Sequence, residues 1–395
     1  MEHLFRHQAG RMVAHLARLL GPAHLDLAEE TVQEAMLRAL QTWPYQGVPP
    51  NAAAWLFRVA HNIAIDAVRH RRLLGDKTDA VVAELYQSAA APAVDPDLEA
   101  QLRDDELRLI FMCCHPEIPR DARVAISLKT VGGFSVSEIA RAFLAEDAAV
   151  AQRLVRAKRL IRDRHLSLDM PHGAELAGRL DSVLEVIYLM FNEGYAAHSG
   201  EDLIRQDLCL EALRLGLLVA ASSILAPRVD ALVALMALEA ARLPARVDES
   251  GDLILLEAQD SSRWDQQLIA LGFYHFNRSM NGEHVSEYHV QAAIAATHAR
   301  ATDPQKRDWA TILGMYDQLL DQSLARGGPE SRRGAGPSPR RRGGYERHRT
   351  AGERLEAQFV LSAAGSARSP AAGTGAPCGS RRIFPRGPGM PLLRA

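Results

Sequence analysis

The stretch that decides the fold is residues 135–164, which read SVSEIARAFLAEDAAVAQRLVRAKRLIRDR. Ser135 and Glu138 have the spacing of a capping box, which predicts the start of a short helix. After a turn, Asp147 is placed to cap a second helix. On that helix four apolar residues recur at helical spacing and are predicted to face inward: Val150, Leu154, Ala157 and Ile161. Two helices joined by a turn are therefore expected.

The outer face of the second helix is strongly basic. Residues 151–164 carry a net charge of +5, whereas residues 1–325 together carry −12. This layout is typical of a helix-turn-helix, whose second helix enters the major groove of DNA; a solvated basic helix or a protein-binding face is the alternative. Its N-terminal positions suit base edges and its later ones suit phosphates. The candidates are Ala148, Ala149, Gln152, Arg153, Arg156, Lys158 and Arg159.

Upstream, residues 1–74 form a second helical block. Asp26 and Glu29 have capping-box spacing, which predicts a helix that Pro44 stops. Its predicted buried stripe is Ala28, Val32, Ala35, Met36, Ala39, Leu40 and Trp43. Asn51 is placed to cap the next helix, which ends in a basic cluster at residues 69–72. That cluster either favours the helix C-terminus electrostatically or contacts phosphates.

Both blocks resemble parts of the sigma-70 superfamily of bacterial transcription-initiation factors. Residues 26–40 (DLAEETVQEAMLRAL) resemble the region 2.1–2.2 helix, and residues 54–69 (AWLFRVAHNIAIDAVR) resemble region 2.3–2.4. Residues 102–164 resemble region 4. A short linker joins the two blocks, and nothing resembles region 1.1 or region 3. This is the architecture of the extracytoplasmic-function (ECF) group.

The resemblance implies partners and sites. The first helix would dock on the clamp helices of the largest subunit of core RNA polymerase, through Asp26, Glu30, Gln33, Glu34 and Arg38. Region 4 would read the −35 element of promoter DNA and meet the polymerase flap. Region 2.3–2.4 would hold the melted −10 strand, which requires pockets for unstacked bases and positive charge along the backbone. The −10 candidates are the loop at residues 45–51 with Arg58, Asn62, Asp66, Arg69, Arg71 and Arg72.

The chain continues well beyond region 4. Residues 184–195 (LEVIYLMFNEGY) and 259–265 (QDSSRWD) resemble the extension of an ECF subgroup that carries a helical, tetratricopeptide-like C-terminal domain. That resemblance implies control from within. Because aromatic residues lie beside charged ones in these stretches, residues 180–265 are predicted to contact the sigma core. The alternative is that the aromatic residues of the two stretches only build a folding core.

The body is predicted to be all-α, because apolar residues recur at helical spacing and Ala and Leu are abundant. The predicted domains are residues 1–74 (region 2-like), 75–100 (linker), 101–168 (region 4-like helix-turn-helix), 169–323 (helical extension) and 324–395 (tail). The tail is rich in Arg, Gly and Pro. It is predicted to be disordered, because it buries too little to offset its ordering entropy. A reading-frame shift in a GC-rich gene would also account for the composition of the tail.

Other classes lack their motifs. There is no P-loop, dinucleotide-binding glycine motif, nucleophile elbow or HExxH, so neither an enzyme nor a cofactor is expected. Cys113, Cys114 and His115 lack a second ligand pair, so no metal is expected and the two small cysteine side chains are predicted to be buried. A membrane span and a secretory signal are both absent, so a cytoplasmic location is expected. The alternative function, an operator-binding regulator with a helical sensing domain, leaves residues 1–74 without a role.

Overall fold

The computed structural model describes residues 2–73, 96–143, 145–195, 204–224, 226–248, 252–282, 284–301 and 308–326. Within these ranges the chain forms helices, turns and one isolated bridge between Val247 and Leu253. The all-α prediction is therefore confirmed for the described part of the chain. The predicted tail beyond residue 326 and most of the predicted linker lie outside the described residues.

Three helices form the N-terminal module: α1 (Glu2–Leu20), α2 (Leu25–Gln46) and α3 (Ala52–Leu73). The predicted stop at Pro44 was wrong, because α2 runs through it to Gln46. A proline in the last turn removes a single backbone hydrogen bond, and the chain leaves the helix at Gly47 (φ +82°). There the amide of Gly47 donates to the carbonyl of Trp43 at 2.9 Å.

One of the two predicted caps in this module is observed. Asn51 caps α3, since its Oδ1 accepts a hydrogen bond from the amide of Ala54 at 2.9 Å. The predicted cap at Asp26 was wrong, because the 3₁₀ turn Pro22–His24 leads directly into α2 and His24 occupies the cap position. Asp26 instead lies in the first turn, where its negative charge interacts favourably with the helix dipole.

Four helices form the helix-turn-helix module: α4 (Pro96–Cys113), α5 (Arg120–Thr130), α6 (Val136–Ala142) and α7 (Asp147–Asp163). The capping box at the start of α6 is confirmed, with Ser135 Oγ accepting from the amide of Glu138 at 3.1 Å. The predicted cap at Asp147 was wrong, since Glu146 holds that position without a side-chain hydrogen bond. The four predicted inward residues of α7 are all buried.

Six helices form the extension: α8 (Gly173–Tyr195), α9 (Gln206–Ala221), α10 (Pro227–Ala240), α11 (Gln266–Ser279), α12 (Glu287–Arg300) and α13 (Trp309–Arg326). α10 is the most deeply buried, packed against α9, α11 and α12. The stretch at 259–265 builds the entry to α11: Asp265 accepts from the amides of Gln267 and Leu268, and Trp264 is buried against Leu256.

The modules pack on one another through α1. A glycine is required where α1 meets the helix-turn-helix module, because a Cβ on Gly10 would lie 1.8 Å from the carbonyl oxygen of Val131. Further along α1, His15 Nδ1 lies 2.8 Å from Asp105 Oδ2, and Arg18 Nε lies 2.9 Å from Asp105 Oδ1. Close backbone approach and a buried polar pair therefore fix α1 against α4 and the end of α5.

Substituting Gly10 with Ala is expected to separate the two modules. Replacing glycine with alanine stabilises the helix α1 itself by about 1 kcal/mol. Any destabilisation therefore comes from the clash with Val131 at the interface. Small-angle scattering should show a larger radius of gyration for the Gly10→Ala protein. Gly178→Ala, on a helix position with no atom within 4 Å of the added Cβ, is the matched control. An unchanged radius for Gly10→Ala would contradict the packing described here.

His61 of α3 makes stability depend on pH. It is buried, and neither ring nitrogen has a hydrogen-bond partner among the described residues. Burial, with a smaller contribution from His15, lowers the pKa of His61 to about 4. The unfolded chain takes up this proton near pH 6.5 and the folded chain does not. The free energy of unfolding therefore falls as the pH drops from about 6.5 towards 4.

Between pH 7 and pH 4.5, His61 is expected to lower the free energy of unfolding by about 2–3 kcal/mol. Urea titrations of the protein and of a His61→Leu variant at both pH values measure it. Because other groups titrate in this range, the comparison is between the two pH dependences. Equal dependences in the two proteins would show that His61 does not carry this effect.

Candidate nucleic-acid and polymerase interfaces

α7 presents one exposed face opposite its buried stripe. Five of the seven candidates for the −35 element are exposed on it at spacings of one, three and four residues: Ala148, Ala149, Gln152, Arg156 and Arg159. Residues at these spacings share one side of a helix. The structure thus brings together two small side chains, an amide and two guanidinium groups on a surface the width of a helix.

Val155 lies in the same face and was missed in the sequence. It is 65% exposed and follows Gln152 by three residues. The sequence did contain a signal: Val155 lies outside the apolar stripe of α7, so it could be expected to face solvent. An exposed valine on a helix that enters the major groove suits apolar contact with the methyl group of thymine.

Lys158 differs from its neighbours on α7, because it is held by the N-terminal module. Its Nζ lies 2.6 Å from Asp26 Oδ1 and 2.8 Å from Glu29 Oε2, and we call these three residues the Lys158 clasp. Burial alone lowers the pKa of Lys158, but the two carboxylates outweigh it and the pKa is raised. Thr130 also donates to Glu29, at 2.9 Å. A −35 candidate and a polymerase candidate are thus paired with each other.

The remaining −35 candidate, Arg153, is half-buried on the same helix. Its Nε lies 3.4 Å from Asp121 Oδ2 at the start of α5. This ion pair lies within the helix-turn-helix module, so it ties α7 to α5 rather than to the N-terminal module.

The polymerase candidates on α2 surround two apolar side chains. Glu30, Gln33 and Arg38 are exposed and Glu34 is half-buried, with Arg38 Nε 3.1 Å from Glu34 Oε1. Leu37 is 51% exposed and Leu40 is 48% exposed. The prediction of a buried Leu40 was wrong, because Ala39 and Trp43 occupy the line that faces the core. Exposed leucines among polar side chains form the pattern of a protein-binding surface.

The −10 candidates form a row along α3. Arg58, Asn62, Asp66 and Arg69 are all exposed at spacings of three and four residues, and Arg69 Nη1 lies 3.5 Å from Asp66 Oδ1. Arg71 and Arg72 belong to the last turn of α3, and their side chains lie outside the described ones.

The loop at residues 45–51 adds apolar side chains beside the row on α3. Tyr45, in the last turn of α2, is 90% exposed, and Val48 is also exposed. Nearby, Trp55 is half-buried and meets Trp43 edge-on, with ring centroids 5.4 Å apart. Exposed Tyr45, rather than Trp55, is therefore the free aromatic face on which a base can stack.

A cluster of four charged residues joins all three modules, and we call it the Arg6 cluster. Arg6 of α1 pairs with Glu138 of α6 at 2.8 Å and with Asp207 of α9. Arg205 lies 2.9 Å from Asp207 and 3.9 Å from Glu138. Burial raises the pKa of Asp207, but Arg205 and Arg6 outweigh it and hold the pKa below its ordinary value. The guanidinium of Arg6 also lies 4.7 Å from the ring centre of Phe134.

The extension makes further polar contacts with the helix-turn-helix module. Arg214 of α9 donates to both carboxylate oxygens of buried Glu106 on α4, at 3.1 and 2.5 Å. Arg123 Nη1 donates to Ser182 Oγ of α8 at 3.1 Å, and Arg120 pairs with Glu185. These contacts involve α4 and α5, so they leave the exposed face of α7 uncovered.

Metal-binding clusters and membrane-spanning helices are absent from the described ranges. No group of three or more His, Cys, Asp or Glu side chains there is arranged to hold a metal ion. Cys113 and Cys114 are fully buried, and burial raises the pKa of the Cys114 thiol to about 12. None of the described helices combines the length and apolar character that crossing a membrane requires.

A helix-turn-helix with an exposed basic face, joined to a helical module with its own polar rows, defines a helical DNA-binding transcription factor. Comparison with known families gives three matches. Residues 4–73 match sigma-70 region 2, residues 108–161 match sigma-70 region 4, and residues 179–280 match a family of unknown function, DUF6596.

Among three similar known proteins, two are named as sigma factors. "Uncharacterized protein R00370" of Rhizobium meliloti is 40% identical over 305 residues, which is 75% of this chain and 70% of that protein. "Probable RNA polymerase sigma factor RfaY" of Xanthomonas campestris is 32% identical over 143 residues, 35% of this chain and 34% of the relative. "ECF RNA polymerase sigma-E factor" of Escherichia coli is 29% identical over 137 residues, 34% of this chain and 72% of the relative. No solved structure gives a significant match.

The chain therefore belongs to the sigma-70 family, as an ECF-like RNA polymerase sigma factor that carries a DUF6596 extension. It binds core RNA polymerase and promoter DNA and acts in transcription initiation. The operator-binding alternative is not favoured, because the N-terminal module, which that alternative leaves without a role, matches region 2.

Proposed function

We propose that α7 reads the −35 element while α3 and the loop at residues 45–51 hold the melted −10 strand. The observation that carries this proposal is the pair of exposed polar faces on separate modules, one on α7 and one on α3. Gln152 and the small residues near the start of α7 reach base edges, and Arg156 and Arg159 contact phosphates. Arg58 and Arg69 follow the backbone of the melted strand, and Tyr45 stacks on an unpaired base.

The surface of α2 docks on the clamp helices of the largest polymerase subunit, and the helix-turn-helix module meets the flap. Glu30, Gln33 and Arg38 provide polar contacts around the apolar pair Leu37 and Leu40. A buried apolar centre with a polar rim is the usual composition of a protein interface. This work takes place in the cytoplasm, where RNA polymerase acts.

The distance between the two promoter elements indicates how the extension controls the factor. Elements centred about 25 base pairs apart lie roughly 85 Å apart on B-form DNA, at 3.4 Å per base pair. In the Lys158 clasp α7 lies in direct contact with α2. The arrangement in which the three modules pack together is therefore a closed, resting state. The Arg6 cluster and the Arg214–Glu106 pair let the extension stabilise that state from outside both DNA-binding faces.

Run-off transcription with purified core polymerase tests these roles. The full chain should give a promoter-dependent product only when core enzyme is present, and it should bind promoter DNA weakly alone. An operator-binding regulator would instead protect its site without polymerase. A second chain that ends after residue 170 tests control by the extension. Promoter activity equal to that of the full chain would refute that control while leaving the promoter-reading roles intact.

Substitution of Leu37 by Glu is expected to weaken association with core polymerase by at least about tenfold. A charge placed in the apolar centre of an interface is desolvated without a partner. Fluorescence anisotropy of labelled protein titrated with core enzyme measures the change. Leu210→Glu, at a leucine of α9 that is also exposed, is the matched control and should bind normally. Equal losses of affinity in both variants would show that α2 is not part of the docking surface.

A further inference from the structure

Val155 projects from the middle of the exposed face of α7. Ala148, Gln152, Val155 and Arg159 follow one another at spacings of four, three and four residues, so their side chains form one row along the helix. The buried stripe of α7 does not include Val155, and neither does the hydrophobic core of the described residues. The row therefore carries one apolar side chain larger than that of alanine.

Packing within the protein does not account for a valine at this position. A single exposed apolar residue is common on protein surfaces, but valine suits an exposed helix position poorly, because its branched Cβ restricts the rotamers. The side chains around it, Gln152, Arg156 and Arg159, all carry groups that suit DNA. A contact that forms only on DNA gives valine an advantage over a polar residue here.

The neighbouring amide of Gln152 indicates where Val155 meets the DNA. Arg156 Nη2 lies 3.5 Å from Gln152 Oε1, and the amide nitrogen offers two N–H donors for a base edge. Val155 follows Gln152 by three residues, about 4.5 Å along the helix axis. That distance is comparable with the 3.4 Å step between stacked bases of B-form DNA. The two side chains therefore suit adjacent base pairs.

Thymine is the base that offers an apolar group in the major groove. Its C5-methyl group lies beside its O4 acceptor, whereas adenine, guanine and cytosine present donors and acceptors there. A valine that covered such polar groups would bury them without a partner, which is unfavourable. Covering the methyl group instead removes apolar surface of both molecules from water. A valine in this row therefore favours thymine over the other three bases.

We propose that Val155 selects one thymine of the −35 element by packing on its C5-methyl group, in the base pair next to the one that Gln152 contacts. This inference rests on the proposed reading of the −35 element by α7, and it adds a base that the element requires. Gln152 supplies hydrogen bonds to one base edge, and Val155 supplies an apolar contact to the next. Uracil, which is thymine without the methyl group, should be read less well.

The test first identifies the element, with the full chain bound to core polymerase. Open complexes that survive a heparin challenge are recovered from a pool of DNA duplexes with randomised −35 and −10 regions, and their DNA is sequenced. One position of the −35 region should require a thymine, on either strand. Recovered DNA without any preferred −35 sequence would refute the reading of that element by α7, and this inference with it.

The methyl group is then removed from the DNA and its partner from the protein. Each thymine of the preferred element is replaced by uracil, one position at a time, which leaves the hydrogen-bonding groups unchanged. Open-complex formation should fall about fourfold at one position, the equivalent of one buried methyl group. Val155→Ala should form open complexes about fourfold less well on the thymine template, and it should not distinguish thymine from uracil there. Alanine favours a helix more than valine does, so the fold of α7 is not at risk.

Val285→Ala is the matched control, since Val285 is 56% exposed and lies outside α7. It should show the same fourfold preference for thymine over uracil as the unsubstituted protein. Two results would overturn the inference while leaving the reading of the −35 element by α7 intact. One is a preferred element in which no uracil replacement changes open-complex formation. The other is a loss at uracil that the Val155→Ala protein shows equally.

Discussion

Charge reversal at Arg156 is expected to reduce run-off transcription about 100-fold. Arg156 lies on the exposed face of α7, where a carboxylate would replace a phosphate contact with repulsion. A factor of 100 corresponds to about 2.7 kcal/mol. Association with core polymerase through α2 should be unaffected, because Arg156 lies on a different helix. The measurement is run-off transcription by the Arg156→Glu protein at saturating core enzyme.

The control for this variant is Arg263→Glu, which makes the same charge change at an exposed residue of the extension. It should transcribe normally. Raising the salt concentration should weaken promoter binding by the unsubstituted protein more steeply than by Arg156→Glu, since one phosphate contact fewer releases fewer counterions. Full transcription by Arg156→Glu would show that α7 does not face the promoter.

Loosening the Lys158 clasp is expected to raise the apparent affinity for core polymerase about tenfold. Glu29→Gln removes one carboxylate charge from Lys158 while keeping the shape of the side chain and an acceptor for Thr130. If the closed state excludes polymerase, destabilising it by about 1.4 kcal/mol increases the competent fraction tenfold. Anisotropy titrations with core enzyme measure the gain.

Two further variants identify what the gain depends on. Asp207→Asn removes the extension's carboxylate from the Arg6 cluster and should give a gain of the same sign. Glu175→Gln breaks an ion pair within α8 alone, with Arg179, and should give none. A loss of affinity in Glu29→Gln, or an equal gain in all three variants, would contradict the view that the clasp keeps the factor closed.

Several local features of the chain could be predicted from its sequence, because they depend on neighbouring residues, although the caps predicted at Asp26 and Asp147 were wrong. The buried stripe of α7 and the capping box at Ser135 follow from helical spacing and from the hydrogen bonds of a helix start. The errors at Pro44 and Leu40 have another cause. How a helix ends and which of two adjacent leucines is covered depend on the packing of α2 in the N-terminal module.

The contacts between modules could not be predicted from the sequence. Lys158 and Asp26 are separated by 132 residues, and each was assigned to a different partner on the evidence of its own helix. No periodicity reveals that they pair with each other. Only the general expectation that the extension touches the sigma core was available, without the four residues of the Arg6 cluster.

The two singled-out stretches of the extension had different outcomes. Residues 259–265 supply caps and a buried tryptophan at the start of α11, which favours the folding-core interpretation for that stretch. Residues 184–195 contribute Glu185 to the contact with α5, whereas Phe191 and Tyr195 are buried in the core. Aromatic residues beside charged ones therefore did not by themselves distinguish a folding role from a binding role.

The most direct test of the account is the distance between α2 and α7 in solution. Spin labels on Ala23→Cys and Arg162→Cys, with Cys378 replaced by Ser, lie beside the Lys158 clasp and outside the proposed interfaces. In the free protein the labels should lie close together, since the turn Pro22–His24 packs against α7 and Arg162 is one helical turn, about 5.4 Å, from Lys158. In the complex with core polymerase and promoter DNA the distance should exceed about 60 Å, because the two elements lie roughly 85 Å apart. A distance that stays short in an active complex would contradict the claim that one opened molecule reads both elements.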